Sequence, residues 1–175
     1  MKDVELRLIS ELMKNSRRSD RELAKAIGVS QPTVSRMIKR LEKEGVIKEY
    51  TMVPDFLKLG LEILALTFAK LRKALDAEKI DEARKAAQQS LNGEPFEIIM
   101  LERGIGLGYD GVIVSIHKDY SSYQELKKWL RQFTFLELKE ADSFLISLSD
   151  KIHYRPLTLT TLAKYLLTLE TKIES

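Results

Sequence analysis

Two short amphipathic segments separated by a glycine turn constrain this fold more than any other feature. The first spans residues 20–27 and stops at Gly28, whose freedom to adopt a left-handed backbone ends a helix after about two turns. The second follows after Val29 and Ser30. Their apolar sides are formed by Leu23, Ala24 and Ile27, and then by Val34, Ile38 and Leu41 with Met37 beside them. Two helices joined by so short a turn bury these sides only by crossing each other.

The ends of these helices carry local signals. Asp20 is the expected cap of the first helix, and Ser30 or Gln31 that of the second. Pro32 suits a first helical turn, where its missing amide hydrogen needs no partner, and Gly45 ends the helix.

Further elements flank this pair. Residues 3–14 predict a preceding helix with Leu6, Ile9 and Met13 on its buried stripe and Leu8 and Leu12 beside them. Residues 46–52 alternate roughly between apolar and polar, which favours a short strand. Residues 1–52 are therefore predicted to form a helix-turn-helix domain.

The outward side of the third helix is polar and basic. In a helix-turn-helix the second helix of the pair enters the major groove of duplex DNA, where amide, hydroxyl and guanidinium groups reach base edges. Gln31, Thr33, Ser35 and Arg36 are expected to read bases. Residues expected on phosphates are Lys39, Arg40 and Lys43, together with Arg17, Arg18 and Arg21. The alternative for any single one of them is an ordinary solvated charge.

Charge and composition narrow the function. Residues 1–52 hold 12 basic and 8 acidic side chains, whereas residues 53–175 hold 17 and 18, so the basic excess lies in the first third. The chain has no cysteine and two histidines, which argues against disulfides, thiolate zinc sites and cysteine nucleophiles. No apolar stretch resembles a signal or a membrane span. We expect a cytoplasmic protein without metal, cofactor or membrane partner.

The remaining sequence predicts a second domain after a linker at residues 53–60. Strands are predicted at residues 61–71, 96–102, 111–117 and 143–149, and helices at residues 77–91 and 120–133. The order βαββαβ closes as a ferredoxin-like antiparallel sheet with two helices on one face, here over residues 61–155. The fold class is α+β. Residues 156–175 are predicted to form a helical extension whose apolar stripe, Leu162, Leu166, Leu169 and Ile173, is expected either at a subunit interface or packed on its own subunit.

The run from Arg21 to Ile47 resembles the winged helix-turn-helix of the Lrp/AsnC family of transcription regulators. Gly108-Tyr109-Asp110 looks like the glycine-aspartate stretch before the family's third strand, so the resemblance covers roughly residues 3–150. It implies a sequence-specific DNA-binding regulator that forms a dimer or larger homo-oligomer and often binds an amino acid or related effector. Two departures are the glycine-rich stretch 104–111 and the tail beyond Tyr154.

An effector is expected at the glycine-rich stretch, on Gly104, Gly106, Gly108, Tyr109 and Asp110. Glycines let backbone amides approach a carboxylate, and an aspartate matches an ammonium group. The alternative is a plain hairpin turn. The GxGxxG spacing there does not indicate dinucleotide binding, because a strand and not a helix follows it.

Two other functions remain open. One is an effector-independent, chromatin-like DNA-binding protein. The other is an enzyme of the same two-domain architecture that decarboxylates a tetrapyrrole, which needs arginines and a histidine converging in the second domain. The arginines there are scattered in the sequence, and His117 and His153 have no evident partner, so no catalytic residue is assigned.

Overall fold

A computed structural model of the chain describes residues 3–72, 81–82, 84–85, 88–89, 97–132, 138–152 and 154–170. The chain divides into two compact units. The helical unit comprises Met1–Pro54 and His153–Ser175, and the sheet unit comprises Asp55–Ile152.

The named helices are α1 (Asp3–Lys14), α2 (Asp20–Ile27), α3 (Gln31–Lys43), α4 (Tyr120–Gln132) and α5 (Thr160–Glu170). The strands are β1 (Ile63–Leu71), β2 (Ile98–Gly106), β3 (Tyr109–His117) and β4 (Leu138–Ser147). A single 3-10 turn, Leu57–Leu59, lies in the predicted linker. None of the helices among the described residues is long and apolar enough to cross a membrane.

The core of the helical unit lies between α1, α2 and α3. Its buried residues are Leu8, Leu12, Leu23, Ala24, Ile27, Val34, Met37 and Leu41. The predicted stripes are therefore displaced in two helices: Leu6, Ile9 and Met13 of α1 are only half-buried, and in α3 Met37 is buried while Ile38 is half-buried. The displacement in α1 has a physical reason, because that helix packs against both α2 and α5.

The predicted strand at residues 46–52 is wrong. The amides of Val46 and Ile47 both donate to the carbonyl of Leu41, at 2.9 and 3.2 Å, so the chain folds back onto the end of α3. No strand occurs among the described residues of the helical unit. An alternating pattern without a neighbouring strand to pair with gives an extended segment only.

The C-terminal helix α5 packs against α1 and belongs to the helical unit. Of the two expectations for this extension, packing on its own subunit is the arrangement observed. The residues that contact α1 are not those of the predicted apolar stripe. Ala163 is buried, whereas Leu162 of the stripe is exposed and Leu166 is half-buried. The side chain of Leu169 and residue Ile173 lie outside the described residues.

The sheet unit has the four predicted strands, although β4 begins at Leu138 and ends at Ser147, earlier than the predicted 143–149. Its four strands are antiparallel and lie in the order β2-β3-β1-β4, with Ala65 of β1 between Ser115 of β3 and Leu145 of β4. The predicted helix at 77–91 lies mostly outside the described residues. Within that range residues 81–82, 84–85 and 88–89 are described, and they are helical. Phe133, at the end of the other predicted helix, also lies outside the described residues.

The predicted hairpin between the second and third strands is confirmed, but its turn is shorter than the glycine-rich stretch 104–111. Strand β2 continues to Gly106 and β3 begins at Tyr109, so only Leu107 and Gly108 form the turn. Both have positive φ, 53° and 77°, as a two-residue hairpin turn requires. The glycines therefore serve mainly in a strand pair and its tight turn.

The two faces of the sheet differ. On one face Ile113 of β3 packs with Leu126 and Leu130 of α4. The opposite face is apolar and partly exposed, and it is formed by Leu64, Leu66, Phe68, Val112, Val114, Phe144 and Ile146. An antiparallel sheet commonly keeps one face on its own core and leaves the other available.

His117 is a packed residue within the sheet unit. It is fully buried, its Nε2 lies 2.8 Å from the Ser115 Oγ, and its ring meets the edge of Tyr123 with centroids 5.6 Å apart. Burial lowers the pKa of His117, which favours the neutral ring. These contacts favour a structural role. His153, the other histidine, lies outside the described residues.

Candidate nucleic-acid interface

The start of α2 is fixed by a reciprocal pair of hydrogen bonds. The amide of Glu22 donates to Ser19 Oγ at 3.3 Å, and the amide of Ser19 donates to Glu22 Oε2 at 2.7 Å. Ser19 is therefore the cap, one residue before the predicted Asp20. The Ser19 hydroxyl bond holds the pKa of Glu22 below its usual value, so the cap persists at neutral pH.

The start of α3 is capped by Ser30, one of the two predicted candidates. Its Oγ accepts the amide of Thr33 at 3.4 Å and lies 2.7 Å from Thr33 Oγ1. Gly28 ends α2 at φ 76°, which lets the chain turn within two residues. Caps and turn together fix where α3 begins, and hence which side chains lie in its first turns.

The outer face of α3 carries the predicted base-reading group. Gln31 and Arg36 are exposed, and Thr33 and Ser35 are half-buried. Arg36 Nε donates to the Pro32 carbonyl at 3.3 Å, which orients the guanidinium while both terminal nitrogens stay available. A guanidinium so oriented suits bidentate bonding to guanine. Thr33 has part of its hydrogen-bonding capacity taken by the cap.

The basic residues predicted on phosphates fall into two groups. Lys39, Lys43, Arg17 and Arg21 are exposed, and no ion pair is found for them among the described residues. Arg18 and Arg40 are instead paired with acids of α1. Free and paired cations thus occur side by side in this domain.

Arg40 pairs with Glu5 of α1, which lies 35 residues earlier in the sequence. Its Nε also lies 3.7 Å from Glu44 Oε1. The Glu5 side chain is 9% exposed and that of Arg40 is 45% exposed. A carboxylate so buried costs free energy unless a cation satisfies it, so Arg40 joins α3 to α1. The sequence signal for this pair is an acid on the otherwise apolar side of α1, three residues before Leu8.

Arg18 pairs with Glu11, which also binds Lys14. The hydrogen bond from Lys14, and after it that from Arg18, holds the pKa of Glu11 below its usual value despite partial burial. This network fixes the loop between α1 and α2, next to the free Arg17 and Arg21.

The segment after α3 is held by two contacts that the sequence did not indicate. Tyr50 OH donates to Glu42 Oε1 at 3.0 Å, and Ser16 Oγ donates to the Thr51 carbonyl at 3.4 Å. Burial and the Glu42 carboxylate raise the pKa of Tyr50 to about 12, so its hydroxyl remains a donor at neutral pH. The segment therefore stays beside α3 without forming a strand.

The predicted effector residues are contiguous along the β2–β3 hairpin. Gly104, Gly106 and Gly108 are exposed, and Tyr109 OH donates to Asp142. Asp110 Oδ2 accepts the amide of Leu71 at 2.8 Å, so its carboxylate is partly used in joining β3 to the end of β1. Within the described residues no group of three His, Asp or Glu side chains is placed to hold a metal ion.

Comparisons with known proteins agree with this geometry. The family described as winged helix-turn-helix DNA-binding matches residues 1–48. The HTH-type transcriptional regulator LrpC of Bacillus subtilis (strain 168) is 41% identical over 71 residues, which are 41% of this chain and 49% of LrpC. The chain spans about half the length of the first curated relatives it matches. Residues 1–48 are thus similar to a winged helix-turn-helix DNA-binding domain.

Solved structures extend the comparison to most of the chain. An AsnC family transcriptional regulator from Agrobacterium tumefaciens has a TM-score of 0.70 at 18% identity, over 93% of this chain and 99% of that one. A transcriptional regulator of Neisseria meningitidis in complex with L-Met has a TM-score of 0.68 at 20% identity, over the same shares of the two chains. The resemblance to the Lrp/AsnC family is thereby confirmed, in sequence for the helical domain and in fold for the chain.

The Glu5–Arg40 pair generates a stability prediction. We expect Arg40→Ala to lower the free energy of unfolding by about 1–3 kcal/mol, because Glu5 loses its guanidinium partner. Lys39→Ala, on the same helix but without an acid partner among the described residues, should change it by less than about 0.5 kcal/mol. Urea unfolding followed by far-ultraviolet circular dichroism measures both. Equal, small effects would show that the pair does not join the helices.

Proposed function

We propose that the protein is a sequence-specific DNA-binding transcription regulator that acts in the cytoplasm as a dimer or larger assembly. The observation that carries this proposal is the outer face of α3, where an oriented Arg36 and an exposed Gln31 lie on a capped helix beside lysines that have no acid partner among the described residues. The LrpC relative, named as a transcriptional regulator, supports it.

In this proposal α3 lies in the major groove. Arg36 bonds guanine through its two terminal nitrogens and Gln31 bonds adenine, while Thr33 and Ser35 contact base edges or methyl groups. These four side chains occupy the first six positions of α3, the part of a recognition helix that contacts bases.

We assign the phosphate contacts to the cations for which the described part of the chain offers no acid partner. Lys39 and Lys43 lie farther along α3, and Arg17 and Arg21 lie where the backbone passes the start of α2. Arg18 and Arg40 are already paired with Glu11 and Glu5. We therefore assign these two arginines a smaller contribution to phosphate binding. Because fewer cations contact phosphates, fewer counterions are released on binding, and the affinity for DNA falls less steeply with salt concentration.

The two roles separate in binding experiments. We expect Arg36→Ala to cost about 1–3 kcal/mol at the preferred site and to relax specificity there, since it removes a bidentate base contact. Lys43→Ala should weaken binding to all duplexes alike, because a phosphate contact carries no sequence information. Fluorescence anisotropy on a specific and a random duplex measures both. Equal losses on the two duplexes for Arg36→Ala would overturn the assignment.

The open apolar face of the sheet supports the homo-oligomer. Phe144 is 63% exposed there, beside half-buried Leu66 and Val114 of the neighbouring strands. A contiguous apolar surface of this kind marks an association surface more often than free solvent. We propose that two copies join through this face, in a two-fold arrangement that a palindromic operator would mirror.

The dimer has a direct test. We expect Phe144→Glu to shift the mass measured by light scattering from dimer or larger toward monomer at micromolar concentration, because it buries a charge at the interface. Lys128→Glu, an exposed change on α4, should leave the mass unchanged. A monomeric parent protein at that concentration would contradict the proposal.

An amino-acid effector is the finer part of the proposal. The Neisseria meningitidis regulator of the same fold was solved in complex with L-Met. In this chain the β2–β3 hairpin offers exposed Gly104, Gly106 and Gly108 to a carboxylate, and Tyr109 and Asp110 to an ammonium group. Such a ligand shifts DNA binding only if it prefers one assembly to another.

Calorimetry against the standard amino acids tests this site. Asp110→Asn keeps an oxygen that accepts the Leu71 amide but removes the charge, so we expect at least about a tenfold loss of affinity for the amino acid that binds the parent. Unchanged binding would remove Asp110 from the site. Binding of none would favour the effector-independent, chromatin-like alternative. The named relatives are regulators, which disfavours the tetrapyrrole enzyme.

A further inference from the structure

The order of elements along the chain differs from the order in which they pack. The chain leaves the helical unit after Pro54, forms the sheet unit, and returns to the helical unit, where α5 packs against α1. The sheet unit is therefore inserted between two parts of one domain. Covalent connections tie it to the helical unit at both of its ends.

The contact between α1 and α5 is close and specific. Ser10 and Ala163 are both fully buried, and Ser10 Oγ donates to the Ala163 carbonyl at 2.8 Å across 153 residues of sequence. Small side chains at both positions let the two backbones approach each other. If α5 left, the Ser10 hydroxyl would lose its acceptor and the apolar surface around it would meet water.

Helix α1 is buried on two sides because of this contact. One side carries Leu8 and the acid of Glu5, which binds Arg40 of α3. The other side carries Ser10, with half-buried Leu6 and Met13 four residues before and three after it on the same helical face. Helix α5 thus packs against α1, and α1 in turn contacts α3 through the Glu5–Arg40 pair.

We propose that α5 is a strap that completes the helical domain from the far end of the chain. When the strap is docked, α1 is fixed on both sides and α3 keeps its position. When it is released, α1 loosens and, as far as the proposed DNA binding holds, affinity for DNA falls. Release of the strap would break the Ser10–Ala163 hydrogen bond and expose the buried Ala163 side chain to water.

Hydrogen exchange on the full chain tests the strap without DNA. Ala163→Leu cannot fit at a fully buried position and should release α5, so amides in α1 and α5 should exchange at least about tenfold faster. Amides of β1 to β4 should keep their rates and report that the chain is folded. Leu162→Ala, an exposed neighbour on the same helix, is the matched control. Unchanged exchange in α1 would overturn the strap, and Ala163→Val gives the milder variant if Ala163→Leu does not fold.

An engineered disulfide shows whether α5 docks on α1 of its own chain or on α1 of a second copy. The natural chain has no cysteine, so Ser10→Cys with Ala163→Cys provides the sole thiol pair. Oxidation should give a link within one chain, and a covalent dimer would overturn the strap in favour of a segment supplied by a second copy.

DNA binding then tests the coupling. The oxidised pair should bind as the parent does, whereas Ala163→Leu should bind about fivefold or more weakly. Equal binding would overturn the coupling to DNA. A parent that binds no duplex would refute the proposed function, and hydrogen exchange would still decide the strap.

Discussion

The burial of α1 on two sides is the constraint on which the position of α3 depends. Its inner side supplies Leu8 to the core shared with α2 and α3, and its outer side meets α5 through Ser10. The inner side of the same helix holds the largely buried carboxylate of Glu5, which pairs with Arg40 of α3. The position of α3 is thus set by packing from one direction and by an ion pair from another.

Charge in the helical unit therefore has two uses. Arg18 and Arg40 satisfy acids of α1 and contribute to structure, whereas Lys39 and Lys43 have no acid partner among the described residues. The net charge of the domain does not distinguish the paired arginines from the lysines. Their burial and their ion pairs do distinguish them, and for this reason we expect different effects when each residue is substituted.

Local signals made much of the fold predictable from the sequence. Gly28 and Ser30 define the turn and the start of α3 through contacts within four residues, and the positions of the strands along the chain followed from hydrophobic periodicity. The pairing of Glu5 with Arg40 and the docking of α5 were not predictable, because they join residues 35 and 153 positions apart.

The strand predicted at residues 46–52 failed for a related reason. An alternating pattern does not reveal whether a partner strand is present, and here the amides of Val46 and Ile47 turn back to Leu41 instead. Similarly, the sequence predicted the hairpin around residues 104–108 but not the length of its turn, because strand pairing extends to Gly106 and leaves only Leu107 and Gly108 between the strands. In both places the competing hydrogen-bond partners, invisible in the local sequence, decided the structure.

The central claim, that α3 reads base sequence as part of a two-fold assembly, is tested most directly by selecting bound duplexes from a random pool. The account predicts enrichment of a palindromic motif whose half-sites lie about one helical turn, roughly 10 base pairs, or a multiple of it apart. Recovery of duplexes with no common motif, at affinities equal to that of the starting pool, would contradict it.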